Sequence, residues 1–219
     1  METNMGDLKL IVGNKNYSSW SMRPWLAMKA AGIDFTDELI PFDFPNGNAA
    51  IKAVSESGRV PLLVDGDFKL WESLAIIDYV AELFPEAPVW PADIRDRALA
   101  RAYSLEIISG FRGIRNACPM NLRRPKKAMP INADMAADIA RIEAIWHTSV
   151  RRSGGPFLFG AFSAADAMYA PVVNRFDAYL LSDHPETLAY IEAVKSHPAW
   201  LAWAADAAKE TWIVEEDEA

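Results

Sequence analysis

Cysteine is almost missing from this chain: Cys118 is the single one among 219 residues. No internal disulfide is possible, and nothing argues for export. Histidine is nearly as scarce. His147, His184 and His197 are scattered, two of them precede proline, and no spacing matches a metal site. With one cysteine, that argues against a zinc centre or any other metal. No glycine-rich phosphate loop occurs, which argues against a nucleotide enzyme. No apolar run reaches the length of a membrane span, and the opening METNMGDLKLIV lacks the basic start and cleavage site of a leader. The expectation is a cytoplasmic protein without membrane contact. Positive charge is in deficit too, with 22 basic residues against 30 acidic ones and a net charge of −8. That disfavours nucleic acid or an anionic membrane as partner. Part of the acidic surplus lies in Glu215, Glu216, Asp217 and Glu218, read here as a solvated tail.

What is present is the composition of an ordinary globular protein, 51% hydrophobic and 24% charged. A chain this long can bury most of the surface it would expose unfolded, as one large domain or two small ones. Its eight tryptophans are dispersed, and Trp200, Trp203 and Trp212 are expected to anchor a core. Residues 8–12 form a short apolar run stopped by Gly13-Asn14, a strand; residues 21–31 then read as helix, and 34–40 as a second strand. That order with short connections predicts a right-handed βαβ unit. Residues 46–57 are ambiguous, a weak helix followed by loop. Runs at 60–64 and 68–71 flank Asp65-Gly66-Asp67 as a hairpin, and Leu74, Ile77, Tyr79, Val80 and Leu83 recur at helical spacing. Three prolines in the eight residues Phe84-Pro-Glu-Ala-Pro-Val-Trp-Pro91 mark a linker. Helices are expected over 93–117, 135–151, 164–181, 185–196 and 198–209. The predicted organisation is an α/β domain over 1–83, a linker over 84–92 and an all-helical domain over 93–219.

Three short segments carry chemistry. In Asn16-Tyr-Ser-Ser-Trp-Ser-Met-Arg23, hydroxyls meet the free N–H groups of a helix N-terminus, which favours a negative charge such as a thiolate. An ordinary thiol, with pKa ~8.5, is only roughly 3% ionised at neutral pH. Lowering it by about two units takes about 2.7 kcal/mol of differential stabilisation. Alternatively, Ser18, Ser19 and Ser21 simply cap the helix. In Arg59-Val60-Pro61, a proline opens an interior strand, where it removes a ladder donor; an ordinary strand-initiating proline is the bland alternative. At Glu72-Ser73, a hydroxyl and helix N–H groups suit a ligand carboxylate and the glutamate suits an ammonium, together one amino-acid end; simple capping by Ser73 is the bland alternative.

In their order and spacing these segments resemble the glutathione transferase superfamily, serine type, most closely its zeta class and bacterial relatives. The zeta Ser-Ser-Cys-x-x-x-Arg-like segment reads Ser18-Ser19-Trp20-Ser21-Met22-Arg23; Val60-Pro61, Glu72-Ser73 and the run to Val80 follow at the class spacing. Gly160-Ala-Phe-Ser-Ala-Ala-Asp166 resembles the superfamily's buried capping box, with Ser163 and Asp166 serving each other. The resemblance spans roughly residues 8–205 and is thin between 95 and 155. It implies a thioredoxin-like N-terminal domain, an all-α C-terminal domain, a homodimer and glutathione as co-substrate. It further implies a cis Pro61, a Val60 backbone pairing with the cysteinyl unit, and Glu72 and Ser73 on the γ-glutamyl end. The implied glutathione set is Tyr17, Trp20, Arg23, Arg59, Val60, Pro61, Glu72 and Ser73. For the serine that donates to the thiolate, the double-serine alignment favours Ser18 and counting back from Arg23 favours Ser19; Ser18 is preferred. Tyr17 is the minority alternative.

The expected function is transfer of activated glutathione to a small electrophile, as in detoxification. Arg112, Arg115 and Asn121 are candidates for the second-substrate pocket, with Arg123 and Arg124 nearby, and a solvated basic face is the alternative. Asn174 and Arg175 align with a zeta substrate region only through a gap. Trp20 stands where zeta enzymes carry a cysteine, which counts against the maleylacetoacetate isomerase activity that is the second reading. A non-catalytic binding module is the third. Cys118 is expected to be an inert packed thiol.

Overall fold

In a computed structural model the described residues are 8–218; residues 1–7, on which part of the reading of the opening segment rests, and residue 219 lie outside them. Apolar β1 (Lys9–Val12) leads into α1 (Ser19–Ala30), β2 (Thr36–Leu39), the short α2 (Ala49–Val54), β3 (Leu62–Asp65), β4 (Phe68–Trp71) and α3 (Ser73–Leu83). The sheet order is β2-β1-β3-β4. β1 and β2 run parallel with Leu10 opposite Asp37, whereas β3 runs antiparallel to β1 with Leu10 opposite Leu63. The βαβ and ββα units expected from the pattern are therefore both present. The ambiguous segment contributes α2, and the proline of Val60-Pro61 is cis.

Helices make up the regular structure that follows: α4 (Ile94–Ser109), α5 (Arg112–Ala117), α6 (Ala133–Ser153), α7 (Ala164–Ala178), α8 (Pro185–Lys195) and α9 (Pro198–Ala207). α1 is buried from Ser21 to Met28 because it lies between the sheet and α7, its heaviest packing partner. α7 is the central helix, with every residue but Asp177 buried. Its central position buries even its polar residues Asp166, Asn174 and Arg175. Its first turn carries the expected capping box: Asp166 accepts from the Ser163 N–H (2.9 Å), the Leu158 N–H (3.0 Å) and the Tyr190 hydroxyl (3.0 Å). The proline-rich stretch is tied to this helix, since the Ala164 N–H donates to Val89 O at 2.8 Å.

Three expectations need correction, the first being Trp212, which is 46% exposed and anchors no core. The single helix over 93–117 is broken, because Gly110 is extended and Phe111 adopts φ 54°, turning its ring into the core before α5 restarts. The acidic tail is not simply solvated: residues 208–218 fold back along residues 14–18, anchored by buried Val214, and finish in a 3-10 turn at Glu215–Asp217.

Candidate active site

The segment before α1 is held by distant groups. Asn14 O accepts from the N–H groups of Tyr17 (3.0 Å) and Ser18 (2.7 Å), and its side chain accepts from the Phe42 N–H (2.8 Å). Glu210 accepts from the N–H groups of Lys15 and Asn16. Buried Lys15 pairs with Asp37 and Asp206, each at 2.8 Å, and the Trp203 indole donates to Lys15 O at 2.9 Å. A loop so fully bonded presents the N-terminus of α1 in one position.

At that N-terminus the two serines differ. Ser18 is the N-cap and is 5% exposed; its hydroxyl donates to Ser21 Oγ at 2.7 Å and accepts from the Ser21 N–H at 3.3 Å. Ser21 Oγ also accepts from the Gly13 N–H at 3.1 Å, which closes this small network inward. Ser19, the first helical residue, is half-buried, and among the described residues its hydroxyl has no partner. The Tyr17 hydroxyl is occupied by Glu218 and by Arg123 Nη2 (2.9 Å).

A cleft in two adjoining lobes opens here. One, of about 320 Å³, is lined by Trp20, Arg59, Val60, Pro61, Glu72, Ser73 and Arg115. The other, of about 490 Å³, is lined by Ser18, Ser19, Phe42, Phe44, Met120, Arg175 and Asp217 among others, and Tyr17, Trp20, Arg59, Val60 and Arg115 border it too. Glu72 sits at the rim with φ 70°, which a non-glycine residue adopts only where its surroundings impose it, and such residues cluster at ligand sites. Ser73 follows as the first residue of α3, not its N-cap, and its buried hydroxyl donates to Trp20 O at 2.7 Å.

Trp20 borders both lobes and lies against two cations, with the Arg23 guanidinium 4.2 Å and the Arg115 guanidinium 4.9 Å from its ring centroid. Arg23 is fully buried, bonded to Met168 O (3.0 Å) and Ser19 O (3.3 Å). Burial, then the Arg175 and Arg115 charges, pull its pKa well below the ordinary guanidinium value. Arg175 bonds to Cys118 O (2.7 Å) and Pro171 O (3.2 Å), and burial lowers it to about 10. Arg115 donates to the carbonyls of Ile107 and Ile108, each at 3.2 Å, and is also lowered, chiefly by burial. Three guanidiniums partnered by carbonyls and a ring, with no carboxylate bonded to them among the described residues, make a cationic floor. Perturbed charges in a cleft are the usual mark of a functional site.

Residues 17–83 match the family model described as glutathione S-transferase, N-terminal domain, and residues 125–206 match glutathione S-transferase, C-terminal domain. The chain belongs to the glutathione S-transferase superfamily. Among curated relatives, a probable maleylacetoacetate isomerase of Caenorhabditis elegans is 28% identical over 84% of this chain and 86% of its own. Glutathione S-transferase Z1 of Arabidopsis thaliana is 34% identical over a shorter match, 52% of each chain. A Burkholderia glutathione transferase homolog crystallised with bound glutathione superposes with TM-score 0.70 at 26% identity, covering 94% of this chain and 99% of that one. The transferase fold, an α/β part followed by an all-helical part, is thus shared along nearly the whole length.

Of the residues singled out from sequence, the structure brings Tyr17, Ser18, Ser19, Trp20, Arg59, Val60, Pro61, Glu72, Ser73 and Arg115 to the two lobes, with Arg23 beneath Trp20. Arg112 and Asn121 line neither lobe. Asn121 instead works as a latch: its carbonyl accepts from Asn16 Nδ2 (2.9 Å) and the Arg123 N–H (3.0 Å), and its amide donates to Glu218 (3.1 Å). Arg123 spends its guanidinium on Tyr17 and the carbonyls of Glu210 and Trp212. Sequence reasoning missed Phe42, Phe44, Met120, Glu210 and Asp217. Their relation to the site is set by contacts across the chain, which leave no local pattern. Cys118 is fully buried with its thiol on Met129 Sδ (3.3 Å), and burial pushes it up to about 11.

Proposed function

We propose that the protein is a glutathione transferase that holds the glutathione thiol as thiolate at the N-terminus of α1 and delivers it to a small electrophile. The observation that carries this reading is Ser19, which lines the cleft at a helix N-terminus with no partner for its hydroxyl among the described residues, in a lobe that Arg115 and Arg175 also line. A glutathione-bound relative of the same fold supports glutathione as the co-substrate. In this reading the lobe of Val60, Pro61, Glu72 and Ser73 takes the γ-glutamyl and cysteinyl units, with Arg59 and Arg115 as cations for carboxylates. Ser19 donates to the sulfur, and Ser18, locked onto Ser21, keeps the helix end in place. This reverses the order of preference reached from sequence. Thiolate formation and positioning supply the rate gain, and no general base is invoked. The boundary between glutathione-binding and helical domains falls in 84–92, and the protein works as a cytoplasmic homodimer in detoxification.

A second reading, glutathione-dependent isomerisation of a dicarboxylic substrate, has two supports: Arg115 and Arg175 in one lobe, and the name of the nematode relative. Trp20, in the place of the zeta cysteine, counts against it. The test is calorimetric titration of glutathione, with ultraviolet absorbance of the bound thiolate followed against pH. Saturable binding with a thiol pKa well below ~8.5 is expected. No saturation at millimolar glutathione would remove both enzymatic readings.

A further inference from the structure

The larger lobe has a wall that the glutathione reading does not use. Residues 208–218 place Glu216 and Asp217 in it, in the same lobe as Ser18, Ser19 and Arg175. Resting on the glutathione reading above, we propose that Asp217 sets the charge of the second substrate. Its carboxylate, sharing the lobe with Arg175, turns anionic co-substrates away and leaves this lobe to an uncharged, planar electrophile.

The segment behaves as wall rather than flap. Val214 is buried, Glu218 is bonded to Tyr17 and Asn121, and the Asn121 amide reaches Asp217 O at 3.4 Å. Arg123 clasps the carbonyls of Glu210 and Trp212 (2.8 Å to the latter), and Glu210 in turn holds the N–H groups of Lys15 and Asn16. Displacing this segment would undo the loop that presents Ser19. Asp217 is therefore a standing feature of the lobe, and Arg175 is its principal electrostatic partner. Burial raises its carboxyl to about 6 while Arg175 opposes the rise, so it is ionised at neutral pH. With Arg59 and Arg115 taken up by the glutathione carboxylates, Arg175 sharing the lobe with Glu216 and Asp217, and a thiolate at Ser19, a further anion meets net repulsion. Beside its polar residues the lobe has an apolar face: Phe42 and Phe44 stack at 5.2 Å with planes 21° apart, and Pro119 and Met120 line it as well. That geometry suits a flat ring.

The test uses two electrophiles with one skeleton, a chlorodinitrobenzoate and its methyl ester. In both, the thiolate sulfur bonds to the chlorine-bearing ring carbon, the carbon–chlorine bond breaks and chloride leaves with its electron pair; the thiol proton goes to solvent. Each kcat/KM is divided by the uncatalysed rate constant for the same compound. Wild type is expected to favour the ester by roughly tenfold, a discrimination of about 1.4 kcal/mol. Asp217→Asn should raise the acid's value by a similar factor and move the ester's value far less, with saturable glutathione binding retained. Glu216→Gln, at a more exposed position, should act in the same direction and less. Calorimetry of the two glutathione conjugates on wild type and Asp217→Asn reads the same preference without turnover. Equal handling of acid and ester by wild type, an Asp217→Asn effect shared by both compounds, or a larger effect at Glu216 would overturn the assignment while normal glutathione binding left the transferase reading standing. Loss of glutathione binding in wild type would instead bring down that reading, and this inference with it.

Discussion

Exchanging each of the two serines for alanine separates structure from chemistry at the α1 N-terminus. Ser19→Ala removes a hydroxyl that has no partner among the described residues, so the folded protein should lose almost nothing. A hydrogen bond to a charged group contributes about 1.5–3 kcal/mol. At about 1.4 kcal/mol per unit, its removal should raise the bound thiol pKa by about one to two units. If wild type holds the thiol near ~6.5, the thiolate at neutral pH falls from roughly three-quarters to roughly a tenth. The rate at saturating glutathione should then drop several-fold at neutral pH and recover as pH rises past ~8.5. Ser18→Ala should do the opposite. It removes the N-cap and the 2.7 Å bond to Ser21, so unfolding free energy falls by about 1 kcal/mol while the thiol pKa moves by a few tenths at most. The assays are thiolate absorbance against pH and denaturant unfolding on the same preparations. A larger pKa rise in Ser18→Ala than in Ser19→Ala would refute the reasoning, because Ser18 would then have to leave Ser21 to serve the sulfur.

Two further outcomes follow from burial. Asp166→Ala strands the N–H groups of Leu158 and Ser163 and the Tyr190 hydroxyl inside the core, which should cost about 4 kcal/mol in urea unfolding, with Asp166→Asn recovering part. Cys118 should resist aromatic disulfide reagents in the native protein at pH 8 and react at once when unfolded; rapid native labelling would contradict its burial and its pKa of about 11.

The sheet, α1, α3 and the later helices were legible because each has its own periodicity and its own stop: Gly13-Asn14 after β1, Gly32 after α1, the prolines after α3. Half of the cleft was legible for a related reason. Tyr17 to Arg23, Val60-Pro61 and Glu72-Ser73 are short contiguous motifs, and their order carried a resemblance that the fold comparison supports. The rest depended on contacts between distant residues. Gly110 gave warning of a break within 93–117, but the need to bury Phe111 is a fact of the assembled core. Glu210 and Asp217 belong to an acidic surplus whose commonest fate is solvation, and nothing local says that Asn121, Arg123 and Val214 fasten it along the site. Ser73 is the instructive intermediate: it was placed correctly at the head of a helix, yet its hydroxyl crosses to Trp20 O, leaving the strained backbone of Glu72 to begin the helix.

Arg23 offers the sharpest test of whether the cationic floor serves stability or function. Its guanidinium is fully buried, opposed by Arg175 and Arg115, and among the described residues is partnered only by two carbonyls and the Trp20 ring. Taking a charge out of water costs several kcal/mol even in real proteins, and replacing such a group with an apolar residue of similar size is often neutral or stabilising. Two carbonyls losing one donor each is a modest penalty, since carbonyl oxygens tolerate partial satisfaction better than N–H groups do. Arg23→Met should therefore change unfolding free energy by no more than about 1 kcal/mol either way. A thiolate at the head of the same helix would lose a nearby positive charge. At an effective dielectric of ~20 that is on the order of 1–2 kcal/mol, or about one unit upward in the bound thiol pKa. A large loss of stability with an unmoved thiol pKa would make Arg23 a structural cation bridging α1 to α7. A stable protein with a raised thiol pKa would mean that the chain tolerates a buried, self-repelling cluster because the anion it awaits is the glutathione sulfur.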